Sequence, residues 1–296
     1  MEQTVRETIK EITRNHLKKE NGLVFGQCLT AVGWVGGTLP KLYEEDGMVD
    51  LSMADVAGGG IVVGSALTGR RPIYVIRYQG FNWYNCPSIV NYACKSKEIW
   101  NIPCPLLVRG IAMEGSIGPV AGSSHHSLYY RMPGIKIASP MTPKEYEEVY
   151  KDFMDNDDVV YVSEHRGSYS NTQEMKDILH EKSDIVLFPI SITRFEAEKA
   201  RKDLQSKGIK VSIIHQKWIK PFVFKEEWRN CLVNSTHGGI VLDDDYVDGV
   251  SKCMAHEMML STNKKVYTLG LKNRTAGFHK KVDNLPPSAS EISNFV

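Results

Sequence analysis

The sequence has 296 residues, enough for one or two domains. Hydrophobic residues make up 42% and charged residues 24%, which excludes a disordered, collagen-like or disulfide-stapled chain. Lys and Arg number 36 against 35 Asp and Glu, so no basic excess advertises nucleic acid and no acidic tail advertises a solvating arm.

The six cysteines (Cys28, Cys86, Cys94, Cys104, Cys231 and Cys253) include no CxxC pair, which argues against a zinc ribbon, a thioredoxin-type motif or a cysteine-held iron–sulfur cluster. Unpaired thiols in apolar surroundings suit a reducing, cytoplasmic setting. The first residues, MEQTVRETIKEITRNHLKKENG, lack the apolar centre of a signal peptide. No uncharged apolar run of 18 residues occurs, so no membrane partner is expected.

Val5, Ile9, Ile12 and Leu17 fall near helical spacing and Gly22 is a natural stop, so a surface helix is expected over 3–20. Strand-like runs follow at 23–30, 72–78, 105–113, 135–139 and 159–164, with helical runs at 54–68, 86–99 and 143–155 between them. Near-continuous apolar strands alternating with helices predict βαβ units and a parallel sheet covered on both faces. The polar stretch 164–183 reads as a linker. The alternation then resumes with strands at 184–190, 210–216, 240–245 and 265–271 and helices near 192–206 and 249–261. The tail PPSASEISNF offers proline, a serine cap and a short last helix. The expected fold class is therefore α/β, with two doubly wound domains over 1–168 and 183–296 and residues 169–182 joining them.

The stretch LSMADVAGGGIVVGSALTGRRPIYVIRY is the most informative. Ser52 and Asp55 stand at capping-box spacing before an apolar run. The helix that follows carries Gly58, Gly59, Gly60 and Gly64, each costing about 1 kcal/mol relative to alanine in a helix interior. Close approach of another backbone or of a ligand is the usual reason. A dinucleotide site would need its glycines between strand and helix, whereas these lie inside the helix pattern with Asp55 before them.

An acid at a helix start, a Gly/Ala-rich helix, the run ALTGRRPI, a strand and an aromatic-rich turn resemble the pyrimidine-binding domain of thiamine-diphosphate enzymes. SIVNYACKSKEIWN, PCPLLVRG, the HHS at 125–127, PGIKIASPMTPKE and DDVVYVSEHRGSY continue the likeness. The chain is most similar to the beta subunit of the decarboxylating component of 2-oxo acid dehydrogenases of the pyruvate or branched-chain type, and its second half resembles the transketolase C-terminal domain. The resemblance implies thiamine diphosphate and Mg²⁺ as cofactors. It also implies a missing half. In the family a Gly-Asp-Gly motif with a later asparagine holds the metal and diphosphate, and here the Asp-Gly pairs follow Glu45 and Val247 instead. An alpha-type partner chain, usually in an α2β2 assembly, would supply that site, and this chain would provide no metal ligand.

By the same resemblance Asp55 takes the place of a catalytic glutamate whose carboxyl bonds a pyrimidine ring nitrogen. The work needs a carboxyl in a dry cleft that can donate its proton. Aspartate is one methylene shorter, about 1.5 Å of reach, and a misplacement near 1 Å can cost about 100-fold in rate. Helix capping is the plain alternative for Asp55. Gln27, in FGQCL, stands where the family commonly has an acid. Phe81 matches the aromatic that stacks on the pyrimidine, Met53 an apolar residue flanking the ring, and Tyr78 is a nearby substitute; each could equally be a core residue. His126, beside His125 in AGSSHHS, matches an active-site histidine, with a loop-ordering hydrogen bond as the alternative. Adjacent histidines lack zinc-ligand spacing. The run Asp243-Asp244-Asp245 follows a strand; alternating faces would keep three ligands apart, so an interface or capping role is expected there. Arg109 and Arg166 read first as structural ion-pair residues.

The expected function is that of a beta-type subunit acting on a 2-oxo acid or ketose, by decarboxylation or by acyl or ketol transfer. A split transketolase-like or acyloin-forming carboligase subunit is the alternative within the class. A catalytically silent assembly subunit is the alternative outside it.

Overall fold

The structure is a computed structural model that describes residues 2–114, 122–279, 281 and 283–296. The chain divides into two units, one formed by 1–113 with 128–174 and the other by 114–127 with 175–296.

In the first unit, Thr4 starts the Val5–Leu17 helix with a two-way capping box. Its hydroxyl accepts from Glu7 N at 3.2 Å while its own N–H donates to the Glu7 carboxylate at 2.9 Å. Val5, Ile9, Thr13 and His16 form the buried face, so the helix is amphipathic and docked. Six strands follow in the spatial order Met48–Leu51, Gly22–Gln27, Arg71–Ile76, Leu106–Ala112, Val159–His165 and Ile135–Ala138. Every neighbouring pair among them is parallel. The Leu106–Ala112 and Val159–His165 strands are buried at every position, as expected of strands covered on both faces. The Met48–Leu51 strand was not signalled by the sequence, because its VD step breaks the apolar run.

The chain leaves the Gly22–Gln27 strand for one neighbour, Met48–Leu51, and then returns to the other, Arg71–Ile76. This reversal opens a crevice at the carboxyl ends of the 22–27 and 71–76 strands, where open α/β sheets bind ligands. The helix expected over 86–99 is Asn82–Ser88 and Cys94–Trp100 joined by a wider π-type turn over Ile89–Ala93. Pro87, which cannot donate a backbone hydrogen bond, sits just before that turn.

The second unit has four parallel strands in the order Val266–Leu271, Gly239–Tyr246, Ile185–Pro189 and Val211–Ile213. Ile185, Leu187, Ile213, Ile240 and Leu242 pack against Ala197, Ala200 and Leu204 of the Thr193–Ser206 helix and Ile292 of the last helix. Ser288 caps that last helix, Ala289–Phe295, in a box with Glu291. No helix of the described residues is long and apolar enough to cross a membrane.

The join falls after Glu174, inside the stretch read as linker. That stretch is tied down on both sides. Within the first unit Asn171 donates to Met141 O at 3.0 Å and Glu174 accepts from Lys144 N at 2.9 Å. Within the second, Ile178 exchanges two backbone hydrogen bonds with Ile213.

His16 has no exposed surface. Its Nε2 donates to Arg71 O at 2.7 Å and its Nδ1 accepts from the Tyr150 hydroxyl at 3.0 Å, the pattern of a neutral ring. Burial pushes its pKa down to about 4. Between that value and about 6.5 the unfolded chain binds the proton and the folded chain does not, so stability falls as pH drops through this window. The full shift corresponds to about 3 kcal/mol. His16→Gln is expected to flatten the loss of stability between pH 7 and pH 4.5 in denaturant titrations. An unchanged pH slope would show that His16 is not the group responsible.

Candidate active site

Gln27, Cys28, Met53, Asp55, Val75, Ile76, Arg77, Phe81, Tyr74 and Asn85 line a cavity of about 100 Å³ at the crevice of the first unit. Four residues singled out from the sequence, Gln27, Met53, Asp55 and Phe81, thus meet at one place. Tyr78 is not among the lining residues. Its ring lies beneath the Arg77 and Arg166 guanidiniums, at 5.0 and 5.7 Å, and 6.0 Å from the Phe81 ring.

Asp55 is the first residue of the Asp55–Leu67 helix, after an Ala54 cap that makes no side-chain bond. The capping box expected from Ser52 and Asp55 does not form, because the helix begins at Asp55 itself, two residues later than that spacing requires. The Asp55 carboxylate instead accepts from Asn85 Nδ2 at 3.2 Å. The same nitrogen donates to Phe81 O at 3.0 Å, and Asn85 Oδ1 accepts from the Tyr74 hydroxyl. Burial, with Asp55 nearby, pushes the Tyr74 phenol well above its usual pKa, so it remains a donor.

Two of the four helix glycines have neighbours that explain them. A Cβ on Gly58 would lie 3.0 Å from the Tyr74 hydroxyl, and one on Gly59 would lie 3.1 Å from Asn85 O. Nothing within 4 Å crowds Gly64, and Gly60 meets only Ser88 Oγ at 3.9 Å. Gln27 Nε2 is buried without a hydrogen-bond partner among the described residues. Such an orphaned donor at a cavity wall fits a ligand acceptor.

The two histidines belong to the second unit and are driven in opposite directions. His126 has no exposed surface, and its Nε2 lies 3.0 Å from Asp243 Oδ1 and 3.8 Å from Asp245 Oδ2. Burial alone would lower its pKa, but Asp243, with Asp245 and Asp244 behind it, holds it up at about 10. Burial lowers the pKa of half-buried His125, against the pull of Asp245, and the charge on His126 adds to the lowering. His125 Nε2 lies 3.0 Å from Ser123 Oγ. Burial raises Asp244 to about 7, although Ser124 and Ser191 both donate to its Oδ2 at 2.7 Å. Asp245 accepts from Ser127 N at 2.8 Å and Tyr246 N at 2.7 Å.

The three aspartates were expected to stay apart, and the structure corrects this for two of them, Asp243 and Asp244. Regular pairing of the Gly239–Tyr246 strand breaks between Leu242 and Tyr246, which releases residues 243–245 from strict alternation. Ligand atoms of His126, Asp243 and Asp244 come within 4.8 Å of one another. With its pKa held up by Asp243, His126 serves as the counterion to these carboxylates. Asp243 Oδ2 and Asp244 Oδ1 have no hydrogen-bond partner among the described residues.

Arg109 is a structural residue: it forms a buried two-pronged pair with Glu164, at 3.0 and 2.8 Å, and donates to Thr38 at 3.1 Å. The sequence reading passed over Asn85 and Tyr74. Their signal was present: a polar residue four positions after Phe81 on a helix, and a lone phenol between Ile73 and Val75 in the strand RPIYVI.

A parallel α/β unit with a ligand crevice at its switch point defines the class of the first half of the chain. Residues 2–172 match the family model described as transketolase, pyrimidine binding domain, and the chain belongs to that family. It is 27% identical to the pyruvate dehydrogenase E1 component subunit beta of Bacillus subtilis (strain 168) over 239 residues, 74% of this chain and 73% of that one. It is 26% identical to the 2-oxoisovalerate dehydrogenase subunit beta of the same organism, over 67% of this chain and 66% of that one. Among solved structures, one titled split gene transketolase, inactive beta4 tetramer, superposes with a TM-score of 0.73 over 99% of this chain and 97% of that chain. At 15% identity, this likeness is one of fold.

Asp243→Asn is expected to let burial dominate at His126 and return its pKa toward or below the ordinary value. Imidazole ¹⁵N shifts of the folded chain measure this directly. A histidine that remains cationic at pH 8 in the variant would show that Asp243 is not its main counterion.

Proposed function

We propose that this chain is the beta-type subunit of a two-chain thiamine-diphosphate enzyme acting on a 2-oxo acid or a ketose, and that its cavity holds the aminopyrimidine ring. The observation that carries the reading is the convergence of a carboxyl (Asp55), an aromatic ring (Phe81), a thioether (Met53) and an orphaned amide donor (Gln27) on one crevice. That set suits a flat heterocycle with both donor and acceptor atoms. When bound, the cofactor supplies the electron sink next to the substrate carbonyl. Asp55 would hold a proton at a ring nitrogen. Phe81 would stack on the ring, contributing about 0.5–1.5 kcal/mol beyond burial, and Met53 would flank it. The sequence carries no Gly-Asp-Gly motif, which supports assigning the diphosphate and Mg²⁺ to an alpha-type chain in an α2β2 assembly.

The two histidines matched by the sequence lie in the second unit, His125 half buried and His126 with no exposed surface.

Split transketolase-like chemistry is favoured as the second reading by one observation: the structural likeness to a split transketolase extends over nearly the whole chain. Which donor the complex consumes, a 2-oxo acid or a ketose, decides between the two.

Co-expression with an alpha-type chain is expected to yield a complex that retains thiamine diphosphate in the presence of Mg²⁺. In that complex Asp55→Ala is expected to lower turnover by about 100-fold or more. A complex that retains no thiamine diphosphate under saturating Mg²⁺ contradicts the cofactor assignment. Full turnover in Asp55→Ala would instead support a catalytically silent subunit.

A further inference from the structure

We propose that Asn85 is the positioning residue of this site. Its side-chain amide, anchored from behind by the Tyr74 hydroxyl, aims the Asp55 carboxyl and the Phe81 segment at one bound pyrimidine and so makes good the reach that an aspartate lacks. The inference rests on reading the cavity as the pyrimidine site.

The amide orientation is fixed from three sides. Tyr74, held protonated by its buried setting, donates to Asn85 Oδ1. The nitrogen faces two acceptors, Phe81 O and Asp55 Oδ1. A flipped amide would press its oxygen against a carbonyl and a carboxylate and strand the phenol proton, so one orientation wins. Asn85 and Tyr74 are 1% and 2% exposed, so neither can trade these bonds for water. Asp55 is only half buried. The rigid pair therefore reaches outward to hold a carboxyl that would otherwise swing. The amide engages Oδ1 and leaves Oδ2 for a ligand.

The glycines of the helix agree with this arrangement. Asp55, Gly58 and Gly59 are spaced 0, 3 and 4 along one helix face. Gly58 rests on the Tyr74 hydroxyl and Gly59 on the Asn85 backbone. The face that begins with Asp55 is thus seated directly on the residues that orient it. A Cβ at 58 or 59 would press on Tyr74 or on the Asn85 backbone at 3.0 to 3.1 Å, so a side chain there would have to move the very groups that hold Asp55 by a few tenths of an ångström. Because Asn85 Nδ2 also binds the Phe81 carbonyl, one nitrogen sets the acid and the segment bearing the stacking ring together.

The test uses the complex with the alpha-type chain and two readouts apart from turnover: the rate at which the acidic C2 proton of bound thiamine diphosphate exchanges with deuterium, and the Kd for thiamine diphosphate. Asn85→Ala is expected to slow exchange by about tenfold or more while Kd moves only a few-fold. Tyr74→Phe, a gentler change should Asn85→Ala fold poorly, is expected to slow exchange in the same direction by less. Asp55→Glu combined with Asn85→Ala is expected to recover most of the lost rate, since the longer acid no longer needs the amide; a merely structural asparagine gives no such rescue. Slow exchange in Asp55→Ala with wild-type exchange in Asn85→Ala and Tyr74→Phe would overturn the proposal and leave the cavity reading standing. Failure of the double variant to recover would overturn the claim that Asn85 stands in for reach. Wild-type exchange in Asp55→Ala would overturn the cavity reading itself.

Discussion

A short carboxyl at the mouth of a crevice can transfer a proton usefully only if its direction is fixed. In this protein two hydrogen bonds in series, a buried one from Tyr74 to Asn85 and a half-buried one from Asn85 to Asp55, hold that direction. Much of the local structure follows from keeping that series intact. The helix that starts at Asp55 must lie close enough to touch Tyr74 and Asn85, which is why it spends glycines at 58 and 59. Asn85 stands on a short helix that holds Pro87 and ends in a wide turn at Ile89–Ala93, a local departure from regular helix of the kind often found beside functional sites.

The parallel sheet supplies the frame. Its chain reversal at the Gly22–Gln27 strand leaves Gln27 on one side of the crevice and Ile76 and Arg77 on the other. The second unit follows a different electrostatic logic. Three buried aspartates are too many negative charges for a dry interior, and the protein answers with a histidine kept cationic, an aspartate pushed toward its neutral form, and serine and backbone donors. Burial, with the charge on His126 adding to it, pushes His125 down while Asp243 pushes His126 up, so two adjacent residues of the same type are shifted in opposite directions.

Much of this was legible in the residues. Apolar runs and their spacing gave nearly every long strand and helix to within a few positions, because burial on both faces writes a continuous hydrophobic signal. The glycines at 58 and 59 announced a close approach, although not by whom. What escaped was decided by polar side chains acting over long sequence distances. The linker looked loose because hydropathy does not register Asn171 and Glu174 bonding backbone groups some 30 residues earlier. The aspartates at 243–245 looked divergent because a pairing break in the strand leaves no compositional mark. Asn85 went unnoticed because an asparagine in a helical stretch looks like surface until its neighbours are known.

The central claim is that the first unit forms one wall of a cofactor site, with direction built into the wall before anything binds. A crystal structure of the complex with the alpha-type chain and thiamine diphosphate tests it most directly. The aminopyrimidine ring is expected against Phe81, with a ring nitrogen within about 3 Å of the Asp55 carboxyl and Asn85 still bonded to both Tyr74 and Asp55. A ring bound elsewhere, or a crevice filled by side chains in the assembled complex, would contradict it.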